Sequence, residues 1–199
     1  VNALRRSDLT WFVSRSSRME TVKLVGFDGN CPKVRHSGID AVFDSRPDSR
    51  DRDVLAGLDL HPGYIVVMGN GKPHKNLGII LKCSERLERE IVFAGVPEEN
   101  RVYWRENETG SRVRWIRYIP DDALPALLRQ AFCLAQPSTV EGYGFPPLEA
   151  MACGTPAVIS DIPVLAETTG GHALKADPFS PDDWVRAFVK LEQADVYRE

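Results

Sequence analysis

The chain has 199 residues, 43% of them hydrophobic and 27% charged, which is enough to bury one full α/β core and too little for two complete domains. A net charge of −3 and a pI near 5.9 provide no broad basic face and argue against a nucleic-acid partner. Cys31, Cys83, Cys133 and Cys153 show no CxxC spacing and no clustering with His36, His61, His74 or His172, and no apolar run reaches the roughly 18 residues that span a bilayer, so neither a zinc centre nor a membrane span is expected.

Taken from the start, residues 1–50 carry nine Lys/Arg against six Asp/Glu, and the remainder sixteen against twenty-two. An excess that small reads as a solvated face. Val1-Asn-Ala-Leu-Arg-Arg6 lacks the apolar centre of a signal peptide, and the apolar settings of Cys83, Cys133 and Cys153 suit free thiols in a reducing, cytosolic compartment. Leu9-Thr-Trp-Phe-Val13 predicts a short buried strand and Ser14-Arg-Ser-Ser-Arg-Met19 a capped helical turn, with a second extended stretch over Lys33–Asp40. Taken alone, these pieces suit an extra strand or hairpin on a sheet edge. Phe43 to Asp53 is charged and without apolar periodicity, and predicts an exposed, disordered linker.

A short helix is expected over Val54–Leu60, and His61-Pro-Gly63 then turns the chain into a strand at Tyr64–Met68. Further strands near 90–94, 113–117, 132–136, 156–160 and 172–175 alternate with helices near 75–84, 97–108, 121–131, 145–153, 162–168 and 181–192. This rhythm predicts an α/β fold with a right-handed, doubly wound parallel sheet, its ligand crevice at the carboxyl ends of the strands. Three loops reach that edge. Gly69-Asn-Gly-Lys-Pro-His-Lys-Asn76 joins glycines to Lys72 and Lys75 in a way that suits a diphosphate, although a polar turn with a solvated lysine pair would look the same. Gly95 ends a strand and Pro97 opens a helix, which fits close approach of a ligand or a plain helix start. Asp121 and Asp122, after Arg117-Tyr-Ile-Pro120, are expected to cap a helix, and Asp182 and Asp183 to open the last one; none of the four is read as a metal ligand.

The most informative stretch is Ser138 to Pro156, STVEGYGFPPLEAMACGTP. Glu141 and Glu149 lie eight residues apart around a turn in which Gly142 and Gly144 permit positive φ. Pro146 and Pro147 suit the first turn of a helix beginning near Phe145, while Gly154 and Pro156 suit its end. Glu149 is expected in that first turn, leaning back toward the helix start. Free N–H groups and the positive helix end suit an anion, and two flanking carboxylates suit hydroxyl groups, so the expected ligand is an anion that carries sugars. A dipole-complementing Glu149 and a turn-closing Glu141 are the plainer reading.

The segment EGYGFPPLEAMACGTPAV resembles the C-terminal donor-binding domain of the family-4 retaining glycosyltransferases, with weaker motifs from about Ser14 to Leu191. The resemblance implies a GT-B enzyme of two Rossmann-like domains, of which residues 1–40 are the end of the acceptor domain, 41–53 a linker and 54–199 the donor domain. It implies Glu141 and Lys75 as catalytic groups. Donor binding would fall to Glu149, Lys72, Gly69, Asn70, Gly71, Gly95, Tyr118, Ile119, Gly142, Tyr143, Gly144 and Phe145. The arginine usual after the first glycine is replaced by Asn70. The substrate implied is a nucleoside-diphosphate sugar, with no cofactor or metal required, and the acceptor a glycan or lipid-linked glycan. A non-catalytic nucleotide-sugar binding module, or a donor subunit that needs a separate acceptor-domain chain, is the alternative; an epimerase or hydrolase of the same fold ranks below both. Membrane contact is at most peripheral, at the inner face.

Overall fold

The computed structural model describes residues 2–104 and 112–195. A short helix α1 (Asn2–Arg6) precedes strand β1 (Thr10–Phe12), helix α2 (Arg15–Val25) and strand β2 (Pro32–Val34). β1 and β2 pair in parallel and form a two-stranded sheet separate from the main one. A parallel pair bridged by a helix is a βαβ unit, so the hairpin alternative is excluded. Ser14 caps α2 with the reciprocal Ser14–Ser17 bonds of a capping box.

The linker is irregular and largely exposed over 41–50, as its charges predict, but its end is not. Helix α3 runs over Asp51–Gly57, three residues earlier than expected, because Asp51 is drawn inside. Its carboxylate is 4% exposed and takes two bonds from Arg129, at 2.9 and 2.6 Å. Phe43 also packs on the core. The reason is long-range: a charged linker looks solvated until the arginine that neutralises it, 78 residues away, is placed beside it.

The main sheet has six parallel strands, β3 (Ile65–Met68), β4 (Ile91–Ala94), β5 (Val113–Ile116), β6 (Cys133–Gln136), β7 (Ala157–Ser160) and β8 (Leu174–Ala176), in the order β5-β4-β3-β6-β7-β8. All lie within two residues of their expected positions. The chain builds outward from β3 to β5, then returns to the other side of β3, so the order reverses between β3 and β6. In such a sheet the crevice opens at that switch point.

Alternation along each strand separates two core faces. Ile65 and Val67 of β3 point to one, with helix α4 (Leu77–Leu81) and helix α9 (Pro181–Asp195), whose Trp184 and Phe188 are fully buried. Val66 points to the other, with α3, helix α6 (Leu124–Arg129) and helix α7 (Phe145–Ala152). Truncating Leu127 or Trp184, both at 0% exposure, would cost about 2–5 kcal/mol each. Helix α8 (Pro163–Thr168) packs on β7 and α2, and helix α5 spans Glu98–Arg101.

Three expected helices change form. The one over 75–84 divides into a 3₁₀ turn at Pro73–Lys75, α4, and a second 3₁₀ turn at Ser84–Arg86. Asn76 makes the first break, with φ 52°, a conformation its short polar side chain tolerates and which bonds to the Pro137 and Pro178 carbonyls sustain. The 97–108 helix is helical only over α5, with 105–111 outside the described residues. Asp121 and Asp122 sit inside a 3₁₀ turn behind Pro120 and form no side-chain cap.

Candidate active site

The loops after β3 and β6 meet at the switch point, where the Thr139 N–H donates to the His74 carbonyl at 2.9 Å. In the first loop, a Cβ on Gly71 would sit 2.6 Å from Val96, so only glycine lets the chain pass beneath the loop after β4. Asn100 donates to the Asn70 carbonyl and Trp104 to the Gly71 carbonyl, both at 2.7 Å. The spacing of glycines and lysines gave no sign of these two supports. A buried tryptophan needs an acceptor for its N–H, and here the glycine loop provides it.

The Asn70 side chain turns back onto the Lys72 N–H at 3.2 Å, so it closes the loop rather than reaching for a ligand. Lys72 is exposed, and its ammonium has no partner among the described residues. Lys75 behaves differently. Its stem folds across Gly69, whose Cβ position lies 3.4 Å from Lys75 Cδ, and its ammonium reaches Glu141 Oε1 at 2.7 Å, with side-chain exposures of 17% and 11%. Glu141 Oε1 also receives a bond from Gln136 Nε2 at 2.6 Å.

The turn from Glu141 into α7 has the expected form at Gly144, whereas Gly142 does not take the positive φ its type permits. Gly144 adopts φ 89°, and a Cβ there would collide with Leu165 of α8. Helix α7 begins at Phe145 with Pro146 and Pro147 in its first turn, where missing N–H groups cost nothing. The N–H groups of Gly142, Tyr143, Gly144 and Phe145 find no acceptor among the described residues, as at any uncapped helix start. The Tyr143 side chain leaves the crevice: its hydroxyl donates to the Ser37 carbonyl at 2.7 Å, so this residue can serve a ligand only through its backbone. Phe145 is partly exposed at the mouth.

Glu149 is the fifth residue of α7, one turn later than expected. It is half-buried, and its carboxylate has no hydrogen bond or ion pair among the described residues. Burial alone raises its pKa. A sheltered carboxylate without a partner is an acceptor in waiting.

The loops after β4 and β5 complete the edge. Met68, Gly69, Ala94, Gly95, Tyr118 and Ile119 line a cleft of about 270 Å³, and Gly95, with φ 80°, lies next to the Gly69 carbonyl. Ile119 buries its side chain in the core while Tyr118 stays exposed, which leaves their backbone groups, unpaired among the described residues, to face this cleft. Larger surface hollows of about 970 and 860 Å³ flank the linker, and none of the residues that line them holds a buried polar atom without a partner. Among the described residues no three His, Cys, Asp or Glu side chains gather to hold a metal ion, and no helix is long and apolar enough to cross a membrane.

The N-terminal unit is tied to this body by a second carboxylate. Glu167 of α8 accepts from the Arg15 and Ser16 N–H groups at 2.7 and 2.9 Å, from the Ser16 hydroxyl, and bonds His36 Nε2 at 2.9 Å. Burial raises its pKa, but the bonds from Arg15, His36 and Ser16 together outweigh that and hold it at about 2.

Residues 55–199 match the family described as Glycosyl transferases group 1. The chain belongs to that family. This group 1 chain is 31% identical to O-antigen chain mannosyltransferase B of Escherichia coli over 99% of its own length and 55% of the relative's. It is 30% identical to O-antigen chain mannosyltransferase RfbU of Salmonella typhimurium over 65% of its length and 38% of the relative's. The group 1 chain thus spans about half the length, or less, of these curated relatives. Among solved structures, HepE of Anabaena in complex with UDP superposes with a TM-score of 0.79 at 18% identity, over 97% of this chain and 56% of that one. Sucrose-phosphate synthase of Thermosynechococcus elongatus superposes with a TM-score of 0.77 at 19% identity, over 96% and 51%. The fold is therefore the Rossmann-like architecture of GT-B glycosyltransferases.

Proposed function

We propose that this chain is the donor-binding half of a retaining glycosyltransferase that moves a hexosyl group from a nucleoside-diphosphate sugar to an acceptor glycan or lipid-linked glycan. The observation that carries the reading is a sheltered Lys75–Glu141 pair at the switch point, beside an open helix start. In this reading the base lies against the backbone of Tyr118 and Ile119, and the ribose hydroxyls donate to Glu149. The diphosphate rests on Gly69–Gly71 and on the N–H groups of Gly142–Phe145, with Lys72 and Lys75 as its cations. Glu141 accepts from hydroxyls of the donor sugar.

Charge builds on the departing diphosphate as the glycosidic C–O bond opens, and preorganised donors aimed there lower the barrier by about 2.7–4 kcal/mol each. Two lysines and a helix start supply that charge from the chain itself, so no metal is assigned a role. The acceptor hydroxyl attacks the face that the leaving group vacates, forming the new C–O bond and passing its proton to a phosphate oxygen. Separation of the two glutamates along the sequence does not make them a hydrolase pair.

Residues 1–40 are read as the end of the acceptor domain, 41–53 as the linker and 54–199 as the donor domain. The separate β1–β2 sheet and the alignment of 99% of the chain with the Escherichia coli relative support that division. Buried thiols at Cys83, Cys133 and Cys153 support a cytoplasmic setting, with peripheral contact at the inner membrane face.

The test is a thermal-shift panel of nucleoside diphosphates and their sugars. Uridine nucleotides are included because HepE was crystallised with UDP, and mannosyl donors because of the names of the curated relatives. A ligand at a hundred times its dissociation constant stabilises the fold by about 2.7 kcal/mol; no response to any nucleotide rejects the reading. A second reading is a binding module or a donor subunit working with a separate acceptor-domain chain. Transfer to an acceptor by this chain alone rejects it.

A further inference from the structure

Gln136 is the last residue of β6, fully buried in a strand that is otherwise apolar. Its amide nitrogen donates to Glu141 Oε1 at 2.6 Å and contacts the Ser138 hydroxyl, itself fully buried, at 2.9 Å. Lys75 donates to the same Glu141 oxygen at 2.7 Å, and Oε2 has no partner among the described residues. The orientation of the amide follows from its neighbour, because the flipped form would set a carbonyl oxygen against a carboxylate. Its own Oε1 is buried without a partner, a cost that an apolar residue would avoid. The amide is therefore present for what its N–H groups hold.

We propose that Gln136 is a positioning residue for Glu141: it grips one carboxylate oxygen so that the other meets the donor sugar once Lys75 turns to the diphosphate. This rests on the donor-site reading above and adds a division of labour to it. Lys75 is a mobile point charge with two anions to choose between when a diphosphate is present. Gln136 is neutral, rooted in the central sheet and has no such choice. Without it, the binding of diphosphate would free Glu141 at the moment its geometry is needed. The predicted signature is specific: Gln136 matters for the sugar and not for the nucleotide.

The test compares the full chain with Gln136→Met, Gln136→Leu, Glu141→Gln and the Gln136→Met/Glu141→Gln double variant by calorimetry. Probes are UDP and GDP, each with and without an attached glucose or mannose. Gln136→Met and Gln136→Leu are expected to leave affinity for the bare diphosphate within about twofold, and to lower affinity for its sugar at least about tenfold. The double variant is expected to be no weaker than Glu141→Gln alone, as for residues acting through one another. In the wild type, the Gln136 side-chain amide protons, followed by NMR, should stay protected from exchange with the nucleotide sugar bound. This last measurement does not depend on any variant folding.

Retention of the sugar's contribution in the Gln136 variants, equal loss for nucleotide and nucleotide sugar, additive losses in the double variant, or loss of amide protection on binding would each overturn the role. A wild-type chain that binds no nucleotide rejects the donor-site reading and this inference together. Normal nucleotide binding with an unaltered sugar increment rejects Gln136 alone.

Discussion

The Asp51–Arg129 pair under the linker and the Lys75–Glu141 pair at the switch point are equally short, at 2.6 and 2.7 Å, and both are sheltered. They differ in how completely they are satisfied. Arg129 meets both oxygens of Asp51 in a fork, and Gln130 adds a third donor. Glu141 takes both of its donors on one oxygen. Two further carboxylates sort the same way, Glu167 with four donors and Glu149 with none. A saturated buried charge holds the fold together, whereas an unsaturated one, which costs stability, keeps an acceptor open.

The largest effect that could break this comparison is on the saturated side. Arg129→Ala strands Asp51 and should lower stability by about 3–5 kcal/mol in urea unfolding, while folded protein keeps its nucleotide affinity. A loss below about 1 kcal/mol would remove the distinction. Glu167 comes next. Its pKa of about 2, below the ordinary glutamate value of about 4.3, means that its contribution is complete above that ordinary value and disappears as pH falls toward 2. By linkage this amounts to about 3 kcal/mol. Glu167→Gln should flatten that acid limb in melting curves, and an unchanged limb would show that α2 is held by something else.

On the open side, Lys75→Ala should cost nucleoside-diphosphate affinity about 1.5–3 kcal/mol, as for bonds to charged groups, and stability no more than about 1 kcal/mol. Should it destabilise as much as Arg129→Ala, the pair is architectural and the site assignment falls. The smallest expected effect is the most diagnostic. Glu149 has a raised pKa, so its charged form opposes folding, and the opposition grows as pH rises through that value. Glu149→Gln should therefore raise the melting temperature slightly at pH 7 and weaken nucleotide binding by about 1 kcal/mol. Lower stability together with unchanged binding would contradict both halves.

Much of the site could be read from the letters because it is built locally. The glycines, prolines and glutamates from Ser138 to Pro156 fix a turn and a helix start through short-range sterics, and the lysines between Gly69 and Asn76 follow a strand directly. Gln136 could have been noticed as the one polar residue closing an apolar strand, CLAQ. Nothing in the sequence pointed to Asn100 and Trp104 as supports of the glycine loop, since the bonds they form span about thirty residues.

By itself the sequence determined the parallel α/β sheet, the position of each strand of the main sheet and the glycine turn, because hydrophobic period, chain reversal and backbone freedom are properties of neighbouring residues. Only the tertiary structure decided which charges meet: that Asp51 of an apparently solvated linker is buried against Arg129, that Tyr143 turns away to Ser37, and that Glu141 keeps one oxygen open. These are pairings between distant residues, and the free energy of a buried charge depends on what the fold places around it.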